Sequence, residues 1–312
     1  LGILALPQML RLGYDKHLSI GVVCAGGSLG TMMPPSIVLI IYGLIASQSI
    51  ADLFTAAITP ALLLMGSYIA YVLIRCLKNP RLGPPMTDAD REESFATKGQ
   101  ALKAIIVPGL IAFMVLGSIY GGVASVTEAA AMGVFGVLLA VVARGEFSLK
   151  TLHGSLGQTM TTCGMIIWIG IGAAALVGVY NLMGGNRFIS QVILGLDVEP
   201  VVIILVMMAI LLVLGMFLDW IGVAMLTLPI FVPIVEQLGY SPVWFGILFA
   251  VNMQVSFLSP PFGPAAFYLK GVAPPSISLK DIFVALLPFI AIQLCVLFAL
   301  LFYPNLAMWL VG

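Results

Sequence analysis

Two Pro-Pro pairs, each inside an apolar segment, gather the residues of this sequence that are best suited to bind a ligand. The first cluster runs from Gly26 to Ser36 and places three glycines, two serines and a threonine beside the prolines. The second runs from Asn252 to Gly263 and adds two amides and two serines. Since proline breaks a helix, both clusters should leave backbone carbonyls without intrahelical partners. Carbonyl, hydroxyl and amide oxygens are the ligands that hard cations such as sodium prefer.

The same clusters could hold an anion without help from a basic side chain. A half-helix that starts after Pro35 or Pro261 would point the positive end of its dipole at the break. For an anionic substrate, the candidate residues are Ser28, Thr31, Pro35, Ser36, Gln254, Ser256 and Pro261. For a cation, they are Gly26, Gly30, Pro34, Gly215, Asp219, Ser259 and Gly263.

Asp219 is the only acidic residue deep inside a predicted apolar element. It lies in the run from Gly215 to Gly222, which interrupts an apolar stretch over 199–236 that is too long for one crossing of a bilayer of about 30 Å. An acidic residue in such an element is a functional candidate by default. It is equally well placed to cap the helix that follows it, and both interpretations stay open.

Membrane helices are the elements that must position these residues. The chain of 312 residues is 61% hydrophobic and 8% charged, whereas soluble domains are about 25% charged. Apolar stretches of about 20 residues recur, without the alternation of a β-barrel. The sequence predicts membrane segments over 18–46, 54–76, 103–120, 124–143, 155–182, 243–269 and 282–303. It also predicts a hairpin over 199–236 that does not cross the membrane, and the returning arm of another hairpin over 1–13.

The basic residues predict an orientation for these segments. If the hairpin does not cross, all of the 13 Lys and Arg residues except Arg187 fall on one side. The positive-inside rule makes that side cytoplasmic. If the hairpin crossed, Lys270 and Lys280 would lie on the wrong side.

An internal repeat relates the two Pro-Pro pairs. Pro34 and Pro35 recur 226 residues later as Pro260 and Pro261, and four upstream residues recur at the same offset. Each half reads as a hairpin arm, a Leu-Gly-Tyr link, a proline-broken helix and a closing helix. Four crossings separate the two broken helices, so they should run in opposite directions. The sequence therefore predicts an all-α polytopic membrane protein with inverted repeats, the architecture in which secondary transporters place their site between broken helices.

Glu128 and the four cysteines are predicted to have structural roles. The run from Ser125 to Glu128 fits a capping box at a helix start. The cysteines show neither CxxC nor Cys/His spacing, so neither a disulfide nor a zinc site is predicted.

Several of these motifs together resemble the large membrane subunit of tripartite ATP-independent periplasmic (TRAP) transporters, the DctM-like subunit. The resemblance covers essentially the whole chain. It rests on Gly26 to Ser36 followed by Tyr42-Gly43, on Val126 to Ala130, on Gly215 to Asp219 with Pro229 and Pro233, and on Ser259 to Gly263.

This resemblance implies a sodium-driven, elevator-type transporter of small organic acid anions in the bacterial inner membrane. It also implies Na⁺ as the coupling ion, a small four-helix membrane subunit as partner, and a periplasmic binding protein that delivers the substrate. With the repeat, it predicts a first repeat over 1–76 that lacks its N-terminal part, a cytoplasmic linker over 77–102, scaffold helices over 103–154, a connecting arm helix over 155–198 and a second repeat over 199–312.

The second break departs from the family pattern. It reads Gln254 to Ser259 where the family often has Ile-Gly-Leu-Leu-Thr before the prolines. This version resembles a branch associated with lactate and 2-oxo acids.

Two other functional classes were weighed against this one. An ion exchanger or dicarboxylate/sodium symporter of related inverted-repeat fold would need no binding protein. Such proteins usually keep acidic residues at the centre of the site, and only Asp219 is available. A membrane enzyme would need a nucleophile-base pair or a metal cluster, which the sequence lacks. We therefore expect that the chain is not an enzyme and that it does not bind nucleic acid.

Overall fold

The computed structural model describes residues 2–85, 105–185, 187–188, 191 and 198–311, and within these ranges every regular element is a helix. The helices are α1 (Gly2–Arg11), α2 (Lys16–Leu29), α3 (Ile37–Ala46), α4 (Ile50–Lys78), α5 (Ile105–Tyr120), α6 (Val126–Ala143), α7 (Leu149–Leu182), α8 (Pro200–Gly215), α9 (Trp220–Gln237), α10 (Pro242–Leu258), α11 (Pro264–Val272), α12 (Leu279–Phe302) and α13 (Asn305–Met308), with a 3-10 turn at Pro80–Leu82.

Five of these helices, α4, α6, α7, α9 and α12, are long and apolar enough to cross a membrane. Shorter apolar helices are α3, α5, α8 and α10. The predicted all-α polytopic membrane fold is therefore confirmed. The predicted hairpin over 199–236 is also present, because α8 ends at Gly215 and α9 begins at Trp220.

Each Pro-Pro pair interrupts its helix, but over fewer residues than the sequence predicted. The first break spans residues 30–36 between α2 and α3, and the second spans 259–263 between α10 and α11. Gly26 to Leu29 and Asn252 to Leu258 remain helical. The predicted breaks were too wide because glycine and serine only weaken a helix, whereas the Pro-Pro pairs interrupt it. Single prolines such as Pro60 and Pro288 lie inside helices.

The Leu-Gly-Tyr link has the same backbone structure in both repeats. Gly13 and Gly239 both have φ of 80°, in the left-handed region that favours glycine. In each link the glycine N–H donates to the carbonyl three residues back, and the N–H of Tyr14 or Tyr240 donates to the carbonyl five residues back. This pairing closes the end of a helix, so α1 and α9 end in the same way.

The closing helices α4 and α12 also begin alike. The N–H of Asp52 donates to Ser49 Oγ, and the N–H of Asp281 donates to Ser278 Oγ, each at 3.2 Å. A serine at this position satisfies one of the free N–H groups of the first turn. The repeat thus extends to the helix caps.

The predicted capping box at the start of α6 is confirmed. The N–H of Ser125 donates to Glu128 Oε2 at 2.7 Å, and the N–H of Glu128 donates to Ser125 Oγ at 3.3 Å. Each residue satisfies a donor of the other, so Glu128 has a structural role here.

Contacts between the repeats come in matched pairs. Helix α9 contacts α3, and its counterpart α1 contacts α11. Helix α10 contacts α4, and its counterpart α2 contacts α12. The two helices α2 and α10 contact each other, as do α4 and α12. A two-fold axis that relates the repeats would produce such matched contacts, so they support the predicted inverted repeat.

Helix α10 lies at the centre of this packing, with fifteen of its 17 residues buried. The indole N–H of Trp244 donates to the carbonyl of Leu300 in α12 at 2.9 Å. On another face, a methyl group at Gly246 would lie 2.6 Å from the ring of Tyr42, so only glycine allows α3 to approach this closely. Small residues at helix crossings are typical of membrane bundles, in which van der Waals packing drives association.

The chain divides into two compact units. The first, Leu1–Pro84 with Ile169–Gly312, holds both breaks and the α8–α9 hairpin. The second, Pro85–Trp168, holds α5, α6 and the first part of α7, and contains an apolar groove of about 660 Å³. The predicted domain boundaries follow the repeats instead and stay predictions. The predicted linker at 77–102 lies mostly outside the described residues.

We expect Gly239→Ala to lower the free energy of unfolding by about 1–2 kcal/mol, because an L residue pays this much in the left-handed region. The matched control is Gly66→Ala in the middle of α4, where an added methyl group meets no atom within 4 Å. The control should leave stability unchanged or raise it by up to about 1 kcal/mol. Thermal unfolding of the two full-length variants measures both effects, and equal melting temperatures would refute the assigned backbone.

Candidate functional site

One cavity brings together the first break, the two helices that flank the second break and the tip of the α8–α9 hairpin. Its volume is about 70 Å³, and all of its lining residues belong to the first compact unit. The lining residues are Thr31, Ile37, Val38, Gly215, Leu218, Asp219, Trp220, Met253, Ser256, Phe257 and Pro264. Residues more than 200 positions apart in the chain therefore face a single small space.

The size of the cavity suits an ion better than a whole organic molecule. Ligand pockets for drug-sized molecules measure about 300–1,000 Å³, and one water molecule has about 30 Å³ in the liquid. A volume of about 70 Å³ accommodates a cation with part of its hydration, or a few water molecules.

Two hydroxyl groups face this cavity with their oxygens free to accept. Thr31 Oγ1 donates to the carbonyl of Ser28 at 2.7 Å, and Ser256 Oγ donates to the carbonyl of Asn252 at 3.1 Å. Because each proton is committed to a backbone carbonyl, each oxygen can offer lone pairs to a guest. Neutral oxygen ligands of this kind suit a hard cation.

Asp219 caps a helix and also lies at the cavity wall. Its Oδ2 accepts a hydrogen bond from the N–H of Ile221 at 3.2 Å, so it caps α9. It also lines the cavity, where its carboxylate is the single charged group among the lining residues. A cation at this position would be attracted by that charge.

The hairpin tip and the second broken helix are in close contact. A methyl group at Gly215 would lie 2.5 Å from Ser256 Oγ and 2.8 Å from Ser256 Cβ. Glycine is therefore required where α8 ends against α10. This contact fixes the position of the Ser256 hydroxyl at the cavity wall.

Three helices begin at the cavity: α3 with Ile37, α9 with Trp220 and α11 with Pro264. The positive ends of these helix dipoles favour negative charge. Asp219 supplies one such charge, and an anionic ligand would supply another. The site can therefore hold a cation on its oxygen side and a carboxylate near the helix starts.

Four of the predicted site residues line the cavity: Thr31, Gly215, Asp219 and Ser256. Most of the others lie within the two breaks but not at the cavity wall, namely Gly30, Pro34, Pro35 and Ser36 in the first, and Ser259, Pro261 and Gly263 in the second. Gly26, Ser28 and Gln254 are helical, and Ser28 and Gln254 are buried away from the cavity.

Fewer backbone carbonyls are free at the first break than the sequence predicted. The carbonyls of Gly27, Ser28 and Leu29 already accept backbone N–H groups of residues 30–33. The Ser28 carbonyl also accepts from Thr31 Oγ1, and the Leu29 carbonyl accepts from two N–H groups. Of the three, only the Gly27 carbonyl therefore keeps a free lone pair. The turn over 30–33 extends the hydrogen bonding of α2 past its last helical residue.

Sequence reasoning missed the apolar lining of the cavity. The cavity is lined by Ile37, Val38, Met253 and Phe257. The sequence does not distinguish them from residues that face lipid, because both kinds of position are apolar in a membrane helix. Trp220 could have been found from its position directly after Asp219.

A family model described as the DctM component of the tripartite ATP-independent periplasmic transporter matches residues 1–306. The chain belongs to this family. It is therefore a multi-pass protein of the inner membrane, as the sequence predicted.

Several relatives of this DctM-family chain are named transporter permeases. It is 31% identical to the isethionate TRAP transporter permease protein DctMQ of Oleidesulfovibrio alaskensis, over 100% of this chain and 48% of the relative. It is 29% identical to the ectoine/5-hydroxyectoine large permease protein UehC of Ruegeria pomeroyi, over 97% of this chain and 69% of the relative. It is 29% identical to the C4-dicarboxylate large permease protein DctM of Vibrio cholerae, over 99% and 71%.

The chain spans about half the length of the first of these relatives and about 70% of the other two. All three are permeases, which agrees with the predicted transporter class and not with an enzyme.

We expect Gly215→Ala to lower the free energy of unfolding by about 1–3 kcal/mol, because the added methyl group overpacks the contact with Ser256. The matched control is Gly222→Ala in the same hairpin, where no atom lies within 4 Å of an added methyl group. Adding Ser256→Gly to Gly215→Ala should recover part of the loss, since the clash is with that side chain. Thermal unfolding measures the three variants, and a double variant no more stable than Gly215→Ala would contradict the contact.

Proposed function

We propose that this chain is the substrate-carrying part of a transporter that couples sodium entry to the uptake of a small organic acid anion. The observation that carries the proposal is one cavity that is lined by Thr31 of the first break, by the helices on either side of the second break and by the hairpin tip. It offers neutral oxygens, one carboxylate and three helix starts in one place.

Sodium is the coupling ion that best fits this set of ligands. Hydroxyl and carbonyl oxygens with a single carboxylate match a hard cation, and the cavity admits an ion of that size. Transition metals prefer His and Cys ligands. No group of three His, Cys, Asp or Glu residues is found within the described ranges.

The substrate class rests on the family and on the helix dipoles. The relatives are named for isethionate, ectoine and C4-dicarboxylates. A sequence identity near 30% to each of them does not indicate which of these substrates this chain carries. Helix starts at the cavity favour a carboxylate. The sequence from Gln254 to Ser259, which resembles a branch associated with lactate and 2-oxo acids, favours a small monocarboxylate of that kind.

The partners proposed for this chain are a small membrane subunit and a periplasmic binding protein, as the name of the family implies. All cavity residues lie in one compact unit, which suits elevator motion in which the site moves as one body. The helices α5 and α6 of the other unit would then belong to a static scaffold.

An exchanger or symporter that works without a binding protein is the second candidate. It is favoured by one observation, that Asp219 lines the cavity and could exchange a proton for sodium. The same uptake assay separates the two candidates.

We expect uptake of a radiolabelled organic acid by the full-length complex in proteoliposomes to require both a sodium gradient and the binding protein. The test compares sodium with potassium, each with and without the binding protein. Equal uptake in potassium would remove sodium coupling from the proposal. Full uptake without the binding protein would favour the second candidate.

We expect Asp219→Asn to weaken sodium dependence, raising the sodium concentration for half-maximal uptake about tenfold or more. Asparagine still caps a helix, so folding should be retained while the negative charge is lost. The matched control is Asp52→Asn, which neutralises a carboxylate in the first turn of α4, outside the cavity lining. If both variants kept the sodium affinity of the parent, Asp219 would be a cap and nothing more.

A further inference from the structure

Four helices of the first unit form a cluster in which each contacts the other three. They are α2 and α4 of the first repeat and α10 and α12 of the second. Each carries at least one buried polar side chain, and these include Ser28, Tyr68, Gln254 and Gln293. Their exposed fractions are 0%, 6%, 1% and 0%, so all four are at least nine-tenths buried.

Three of these side chains meet directly. Gln293 Nε2 donates to Ser28 Oγ at 3.4 Å, and Ser28 Oγ donates to the carbonyl of Ala25 at 2.8 Å. The hydroxyl of Tyr68 lies beside Gln293 and Ser28, but in a geometry that gives it no hydrogen bond. The ring of Tyr68 packs edge-on against Phe289, with centroids 5.3 Å apart, one turn before Gln293.

Gln254 is placed at the same level by two contacts between α10 and α12. Near the start of α10, Trp244 bonds to the carbonyl of Leu300. Past its end, a methyl group at Gly263 would lie 2.9 Å from the ring of Phe283. The two helices therefore run in opposite directions. Gln254, midway between these contacts, is level with the turn of α12 that contains Gln293.

Hydrogen-bonding capacity is left over throughout this group. Both polar atoms of the Gln254 amide, Gln293 Oε1 and the Tyr68 hydroxyl have no hydrogen-bond partner among the described residues. A buried polar group without a partner is costly. Four such atoms at one level of one helix cluster indicate a polar guest.

We propose that Ser28, Tyr68, Gln254 and Gln293 form one buried polar layer that holds internal water. Water fits this set of groups better than a cation does. The Gln254 Nε2 group needs an acceptor, whereas Oε1 needs a donor, and a water molecule supplies both. A cation would satisfy only the oxygens and would be repelled by the amide N–H groups.

The layer is separate from the ion cavity and does not depend on the proposed transport activity. None of its four residues lines that cavity. Ser28 and Gln254 occupy equivalent positions in the two repeats, 226 residues apart, so the layer joins both broken helices to both closing helices. Its water molecules lie between helices of the two repeats.

The first test is a matched pair of single variants in the full-length permease. Tyr68→Phe removes one hydroxyl from the layer and should lower the melting temperature by about 2–6 °C. The control is Tyr71→Phe on the same helix, whose ring packs edge-on against the same Phe289 at 5.2 Å and whose side chain is only partly buried. The control should change the melting temperature by less than about 1 °C. Equal shifts in the two variants would overturn the layer.

The second test asks whether Tyr68 and Gln254 share the same guest. The combined loss in melting temperature for Tyr68→Phe with Gln254→Leu should be smaller than the sum of the single losses, since either change disrupts the shared water. Additive losses would overturn the proposal. Each melt is repeated with potassium in place of sodium. An equal sodium-dependent shift in parent and variants supports water, and loss of that shift in either variant would show a bound cation instead.

Discussion

A break in a membrane helix exposes polar backbone groups that lipid cannot satisfy, and this constraint governs the rest of the structure. Proline ends α2 and α10 in the middle of apolar sequence, so both breaks must be buried against protein or against a bound guest. The structure meets the requirement in part: Thr31 of the first break and the helices on either side of the second break share one small cavity with a hairpin tip, whereas Pro35 and Pro261 are exposed. The repeat provides the geometry, because two related helices can meet at their breaks when each repeat packs on the other.

The repeat, the breaks and the hairpin could all be predicted from the sequence, because each depends on backbone chemistry. A Pro-Pro pair with glycine or serine beside it interrupts a helix, and Gly13 and Gly239 mark links that need a left-handed residue. Asp219 stood out because charge is rare in apolar segments. These signals are local, and they survive without knowledge of how the helices pack.

The direction in which each side chain points could not be predicted, because it depends on where each helix begins and ends. Ser256 and Gln254 were assigned to the same site, but α10 stays helical through Leu258. In a helix with 3.6 residues per turn, residues two positions apart lie on nearly opposite faces. Ser256 therefore lines the cavity, while Gln254 is buried away from it. The apolar wall of the cavity carried no signal, because membrane helices are apolar on every side.

We propose that a coupling cation binds in the cavity that the hairpin tip shares with Thr31 of the first break and with the helices beside the second break. The most direct test is the structure of the full-length complex in sodium and in potassium, at a resolution that separates an ion from the protein around it. We expect density in sodium, and not in potassium, at the cavity beside Thr31, Asp219 and Ser256. A sodium-dependent density elsewhere, with this cavity unchanged between the two salts, would contradict the account.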